Sequence, residues 1–108
     1  MDNSLLERWR RLSAEVVLLA IAEHAKADPT FTPIKDARTR RWHARIGARE
    51  FELLLAGPKY WDTRTNVGGG GAIDLVCHLH GCNFKAAVRR LERAEQVASE
   101  DALVSLHS

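Results

Sequence analysis

Cysteine is scarce: only Cys77 and Cys82 occur in 108 residues. A small secreted domain is normally stapled by more, so a disulfide framework is excluded, and two thiols five apart read as reduced. No apolar run approaches the roughly 20 residues that span a membrane. Residues 1–11 are polar and charged and lack the apolar centre of a signal peptide. The expectation is a cytoplasmic protein without a membrane partner. No Gly-Lys-Ser/Thr accompanies the glycine run, which excludes a nucleotide-hydrolysing P-loop. Neither a carboxylate cluster nor a nucleophile with a base at plausible spacing is present, so no catalytic residue is expected; His43 reads as a strand-surface residue.

What is present fits one domain, residues 1–98, followed by a tail or linker at 99–108. Apolar residues make up 45 % of the chain and the net charge is +2. The distribution of charge is more informative than its total. Lys35, Arg38, Arg40, Arg41, Arg45 and Arg49 fall in one short stretch with Asp36 as the only acid. Such a stripe meets phosphates or forms a solvated arginine-rich loop and strand; charge alone leaves both open.

The apolar pattern divides the chain into elements. Residues 4–27 carry Leu5, Leu6, Trp9 and Leu12, then Val16, Val17, Leu19 and Ile21, at helical spacing. Ser13 is placed to cap a second segment, and Asp28-Pro29 ends the helix. From Arg41 to Ile46 polar and apolar residues strictly alternate, which predicts a strand with Trp42, Ala44 and Ile46 inward and Arg41, His43 and Arg45 outward. Residues 50–56 read as a second strand with Phe51, Leu53 and Leu55 on one face. Residues 59–63 form a third strand after the Gly57-Pro58 turn, and residues 31–35 offer a further short one. The fold class is α+β: a small antiparallel sheet of three to four strands, flanked by an N-terminal helix and two C-terminal helices. Residues 72–80 and 84–97 are those last helices, with Gly81 as the helix-ending glycine and Asn83 as a cap. Ile73, Val76 and Leu79 or His80 face inward on the first, Phe84, Ala87, Val88 and Leu91 on the second. Residues 100–106 suggest one more short helix.

The run Tyr60-Trp61-Asp62-Thr63-Arg64-Thr65-Asn66-Val67-Gly68-Gly69-Gly70-Gly71-Ala72-Ile73-Asp74-Leu75, followed by Asn83-Phe84-Lys85-Ala86-Ala87-Val88-Arg89-Arg90-Leu91, resembles the zinc-ribbon domain at the N-terminus of bacterial DNA primases. It is also similar to primase-like proteins of plasmids and integrated elements. The resemblance covers residues 42–92. It implies a zinc-ribbon-like sheet, but the family's Cys-x-x-Cys pair falls on Thr63 and Asn66, and its upstream ligand pair leaves only His43. A structural zinc site takes four nitrogen or sulfur ligands, so no metal and no other cofactor is expected. Cys77, His78, His80 and Cys82 hold four potential ligands, but on a helix residue 78 points away from 77 and 80; the core-and-surface reading is preferred there. The glycine run reads as a turn with positive φ and close packing rather than a phosphate cradle, and Asp74 as a carboxylate suited to the helix dipole.

The expected function is a DNA-binding module of a primase-like or mobile-element replication protein. Single-stranded DNA would meet Arg38, Arg40, Arg41, Arg45, Arg49, Lys59 and Arg64 through its phosphates. Tyr60 or Trp61, which point to opposite faces of one strand, would stack on a base. The alternative is a zinc-less interaction module docking to a replication partner, with Trp9 on an adhesive helix face. Primase activity, if the natural protein has it, would reside in another domain.

Overall fold

The N-terminal apolar stretch folds as two helices, α1 (Asn3–Arg11) and α2 (Ala14–Ile21). Ser13 makes the break: its Oγ accepts the Glu15 amide at 3.1 Å and caps α2. These elements belong to a computed structural model that describes residues 3–107, with the side chains of residues 4–96.

The helix does not continue to residue 27. Ala22 becomes extended after its N–H closes on the Leu18 carbonyl, and His24–Ala27 form a strand, β1. Alanine favours helix, so His24-Ala25-Lys26-Ala27 reads as helix in isolation. Pairing overrides that preference, setting Ala25 opposite Ala44 and Ala27 opposite Trp42. Residues 31–35, by contrast, form no strand. Pro29 and Pro33 lack the N–H a ladder needs, and the Phe31 ring lies instead under the Arg41 guanidinium, 5.4 Å from its centroid.

The remaining strands are β2 (Arg40–Ile46), β3 (Arg49–Ala56), β4 (Lys59–Asp62) and β5 (Val67–Gly70). All five pair with their chain neighbours in an antiparallel meander, β1-β2-β3-β4-β5. The class is α+β, with five strands where the sequence suggested three to four. The glycine run accounts for the second extra strand: Gly68 to Gly70 are ladder residues, not a turn, and of the run only Gly71 has positive φ (94°). The expected close packing is there. A Cβ on Gly68 would lie 2.5 Å from Trp61 Cε3, and one on Gly69 would lie 1.9 Å from Asp74 Oδ2.

One face of the sheet carries the core. Trp42, Ala44, Phe51, Leu53, Leu55 and Tyr60 pack there against Val17 and Leu18 of α2, α3 (Ala72–His80) and α4 (Phe84–His107). The inward face of α3 is Ala72, Leu75, Val76 and Leu79, with Ile73 only partly covered. Ile46, at the strand end, is also only partly buried. Gly81 ends α3 in the left-handed conformation (φ 61°), and Asn83 Oδ1 accepts the Ala86 amide at 3.0 Å to start α4. Ala87, Val88 and Leu91 of α4 are buried, but Phe84 is half exposed. The α4 backbone runs through His107 with no break at Ser99, so residues 100–106 are not a separate helix; their side chains lie outside the described residues. Trp9 is fully buried and its Nε1 donates to Glu95 Oε1 at 2.9 Å, so α1 offers no adhesive tryptophan. Among the described residues no helix is long and apolar enough to cross a membrane.

Candidate nucleic-acid interface

The second face of the sheet is where the polar half of each strand goes. Strand period two sends His24 and Lys26, then Arg41, His43 and Arg45, then Glu50, Glu52 and Leu54, then Lys59 and Trp61 to this side. The antiparallel register arranges them in rows. His24, Arg45 and Glu50 form one, Lys26, His43 and Glu52 the next, and Arg41, Leu54, Trp61 and Gly68 the third. With Arg64 at its margin, the face holds five lysines and arginines against Glu50, Glu52 and Asp28, and two histidines besides.

Trp61 is 43 % exposed, whereas Tyr60, on the opposite face, is 5 % exposed. The expected division of the two rings is therefore present, and the available one is Trp61. Its benzo edge lies over Gly68, in space a Cβ would fill. Tyr60 is withdrawn from any ligand. It stacks on His78, with centroids 5.4 Å apart, and Asp74 is the charge that acts most on its hydroxyl. Burial first, then the Asp74 charge, pushes the phenol up to about 12, so it stays a donor.

The basic residues divide between the two sides. Arg45 and Arg64 line one depression of about 170 Å³ with His24, His43 and Glu50; Arg64 Nη1 donates to the Glu50 carbonyl at 3.3 Å, and among the described residues no carboxylate lies within ion-pair distance of Arg64. Lys59 is exposed at the Trp61 end of the same face. Arg41 is on this face too but already has a counterion, donating from Nε and Nη2 to Asp28 Oδ2 at 2.9 and 2.5 Å. The Thr30 hydroxyl and amide, and then Arg41, hold the Asp28 carboxyl well below the usual carboxylate range, so this neutralisation persists into acid. Arg38 is engaged by Asp36 (3.0 Å) in the β1–β2 loop. Arg40 and Arg49 share the parity of Trp42 and Phe51 and so belong to the helix side. Arg40 stands 3.8 Å from Glu15, and Arg49 lies 4.8 Å over the Phe51 ring and donates to the Leu79 carbonyl at 3.4 Å.

Sequence reasoning missed His24 and Lys26 because it placed them on a helix; the strict alternation His24-Ala25-Lys26-Ala27 was the available signal. It also missed a buried pair. Asp62 is 2 % exposed and its Oδ2 lies 2.7 Å from His78 Nε2, while Oδ1 accepts the amides of Arg64 and Thr65 at 2.9 and 3.2 Å. Burial alone would raise this carboxyl, but the bonds from His78 and the two amides outweigh it and hold it below its ordinary value. Residue 78 does point away from 77 and 80, and the direction it takes is into the sheet. Among the described residues no three His, Cys, Asp or Glu side chains are grouped to hold a metal ion. Cys77 and Cys82 are free, partly buried thiols, and burial, then its neighbour Cys82, pushes Cys77 up.

No family model matches this chain, nor does any curated protein or solved structure.

Proposed function

We propose that the chain is a nucleic-acid-binding module that takes single-stranded DNA on the open face of its sheet, serving a primase-like or mobile-element replication protein. The observation that carries this reading is Trp61: a large ring, 43 % exposed, on a solvent-facing antiparallel sheet, with Lys59 at its own end of that face and Arg45 and Arg64 around the depression farther along it. A base stacked on such a ring gains about 1–3 kcal/mol, and neighbouring cations neutralise its phosphates. The residues at the ligand positions of the primase zinc ribbon do not fit zinc. Thr63 and Asn66 supply no thiolate, and Thr63 Oγ1 is engaged with Glu52 Oε1 at 2.9 Å. In a metal-free ribbon the task of closing this turn falls to Asp62, whose carboxylate gathers two turn amides.

The test is a titration of labelled single-stranded DNA at several salt concentrations. Trp61→Ala should lower affinity about 5- to 150-fold with little change in salt slope, because a neutral ring releases no counterions. Arg45→Ala with Arg64→Ala should flatten the slope by about 1.4 units, two phosphate contacts on a single strand. Arg41→Ala should change the slope less than Arg45→Ala, since Asp28 already neutralises it. A parent domain that fails to bind at low salt would overturn the proposal.

A further inference from the structure

We propose that α4 carries a second phosphodiester-binding surface, formed by Arg89, Arg90 and Arg93, reached by a strand that leaves the open sheet face around the β2–β3 hairpin. This rests on the reading of the sheet face as a DNA site and extends it to the helix side of the molecule. Three observations carry it. Arg89, Arg90 and Arg93 are exposed and line a single depression of about 190 Å³ with Ala86. Elsewhere Arg8, Arg38 and Arg41 each hold a carboxylate within ion-pair distance, but among the described residues none holds one of these three. Glu95, the acid on the next turn, is turned to Arg8 and Trp9. Like charges at i and i+4, as at Arg89 and Arg93, cost a helix a few tenths of a kcal/mol, and a polyanion relieves that repulsion.

The connection between the two surfaces is also built. Arg45 and Glu50 pair across the last rung before the hairpin turn, and Ile46 and Arg49 form the closing rung. Arg49 leans from that tip onto the end of α3, at the Leu79 carbonyl. Burial first, then the charges of Arg90 and Arg49, holds His80 below its ordinary value, with Glu23 opposing. Cationic groups thus continue from Arg45 and Arg64, past Arg49, to Arg90 and its two neighbours.

The experiment compares two labelled single-stranded oligonucleotides, about five and about fifteen nucleotides long, within the range one small domain engages. The parent chain is set against a triple variant, Arg89→Gln, Arg90→Gln and Arg93→Gln, and against the corresponding triple lysine variant. Glutamine keeps helix propensity while removing charge. The glutamine variant should lose affinity for the longer strand on the order of tenfold and flatten its salt slope by about 2 units, three contacts at about 0.7 each. Binding of the short strand should not change, and lysine should restore the long one. If the triple variant loses helicity by circular dichroism, Arg89→Gln and Arg93→Gln singly should each flatten the slope by about 0.7. A parent that binds both strands, with variants that bind them equally well or lose both equally, overturns the second surface and leaves the sheet site standing. A parent that binds neither strand overturns the sheet site and this inference with it.

Discussion

At Gly69 one methyl group decides whether β5 and α3 can meet. Asp74 Oδ2 occupies the position a Cβ would take and accepts the Gly70 amide at 3.1 Å, while its charge also acts on the Tyr60 hydroxyl. Gly69→Ala should therefore expel Asp74 and cost about 1–3 kcal/mol in urea denaturation, the range for an overfilled site. Gly70→Ala is the control, because a Cβ there meets nothing nearer than 3.8 Å and should cost less than 1 kcal/mol on the same scale. Equal stabilities for the two variants would refute the argument. Four consecutive glycines announce close approach, but which of them is crowded depends on a side chain that returns from the next element, and no local pattern records that.

Among the elements, those with a strict apolar period were legible and those built from small residues were not. Trp42 alternates with Arg41 and His43, and Phe51, Leu53 and Leu55 recur at every second residue; β2 and β3 lie over those runs. Ala72 to His80 is helical over the expected span because Gly81 stops it. β1 (His24-Ala25-Lys26-Ala27) and β5 (Val67-Gly68-Gly69-Gly70) are short and rich in alanine or glycine, which bury little area each and give only a weak period; their strand character comes from pairing with β2 and β4. The same limit hid part of the site. Arg40 and Arg49 could have been assigned to the helix side by parity with Trp42 and Phe51, whereas the pairing of Arg41 with Asp28 depends on β1 existing. The strand register has a direct test. Trp42, whose Nε1 donates to Glu15 Oε1 at 3.3 Å, is 7 % exposed, so Trp42→Ala should destabilise the protein by about 3–5 kcal/mol. A variant unfolding at the parent's urea midpoint would mean the ring is not in the core.

For the molecule as a whole, the Asp62–His78 contact joins the β4–β5 turn of the sheet to the helical layer. Because the folded carboxyl sits below its ordinary value, the unfolded chain takes up its proton first as pH falls. The stability this group confers is complete above the ordinary carboxyl range, near 4, and is withdrawn as pH drops through the folded value. Asp62→Asn should lower stability at pH 7 by about 1–3 kcal/mol, and the gap to the parent should narrow below about pH 4. A gap unchanged at about pH 2 would show that the charge of Asp62 is not what matters. The glycine strand has one more consequence, for self-association. A sheet with an uncovered face also ends in β5, whose outward backbone groups are a template for strand addition by another copy. Here that edge is four residues long, and the Gly70 amide, one of the groups an incoming strand would need, is held by Asp74. The protein thereby leaves its broad sheet face uncovered while closing part of its narrow edge to itself.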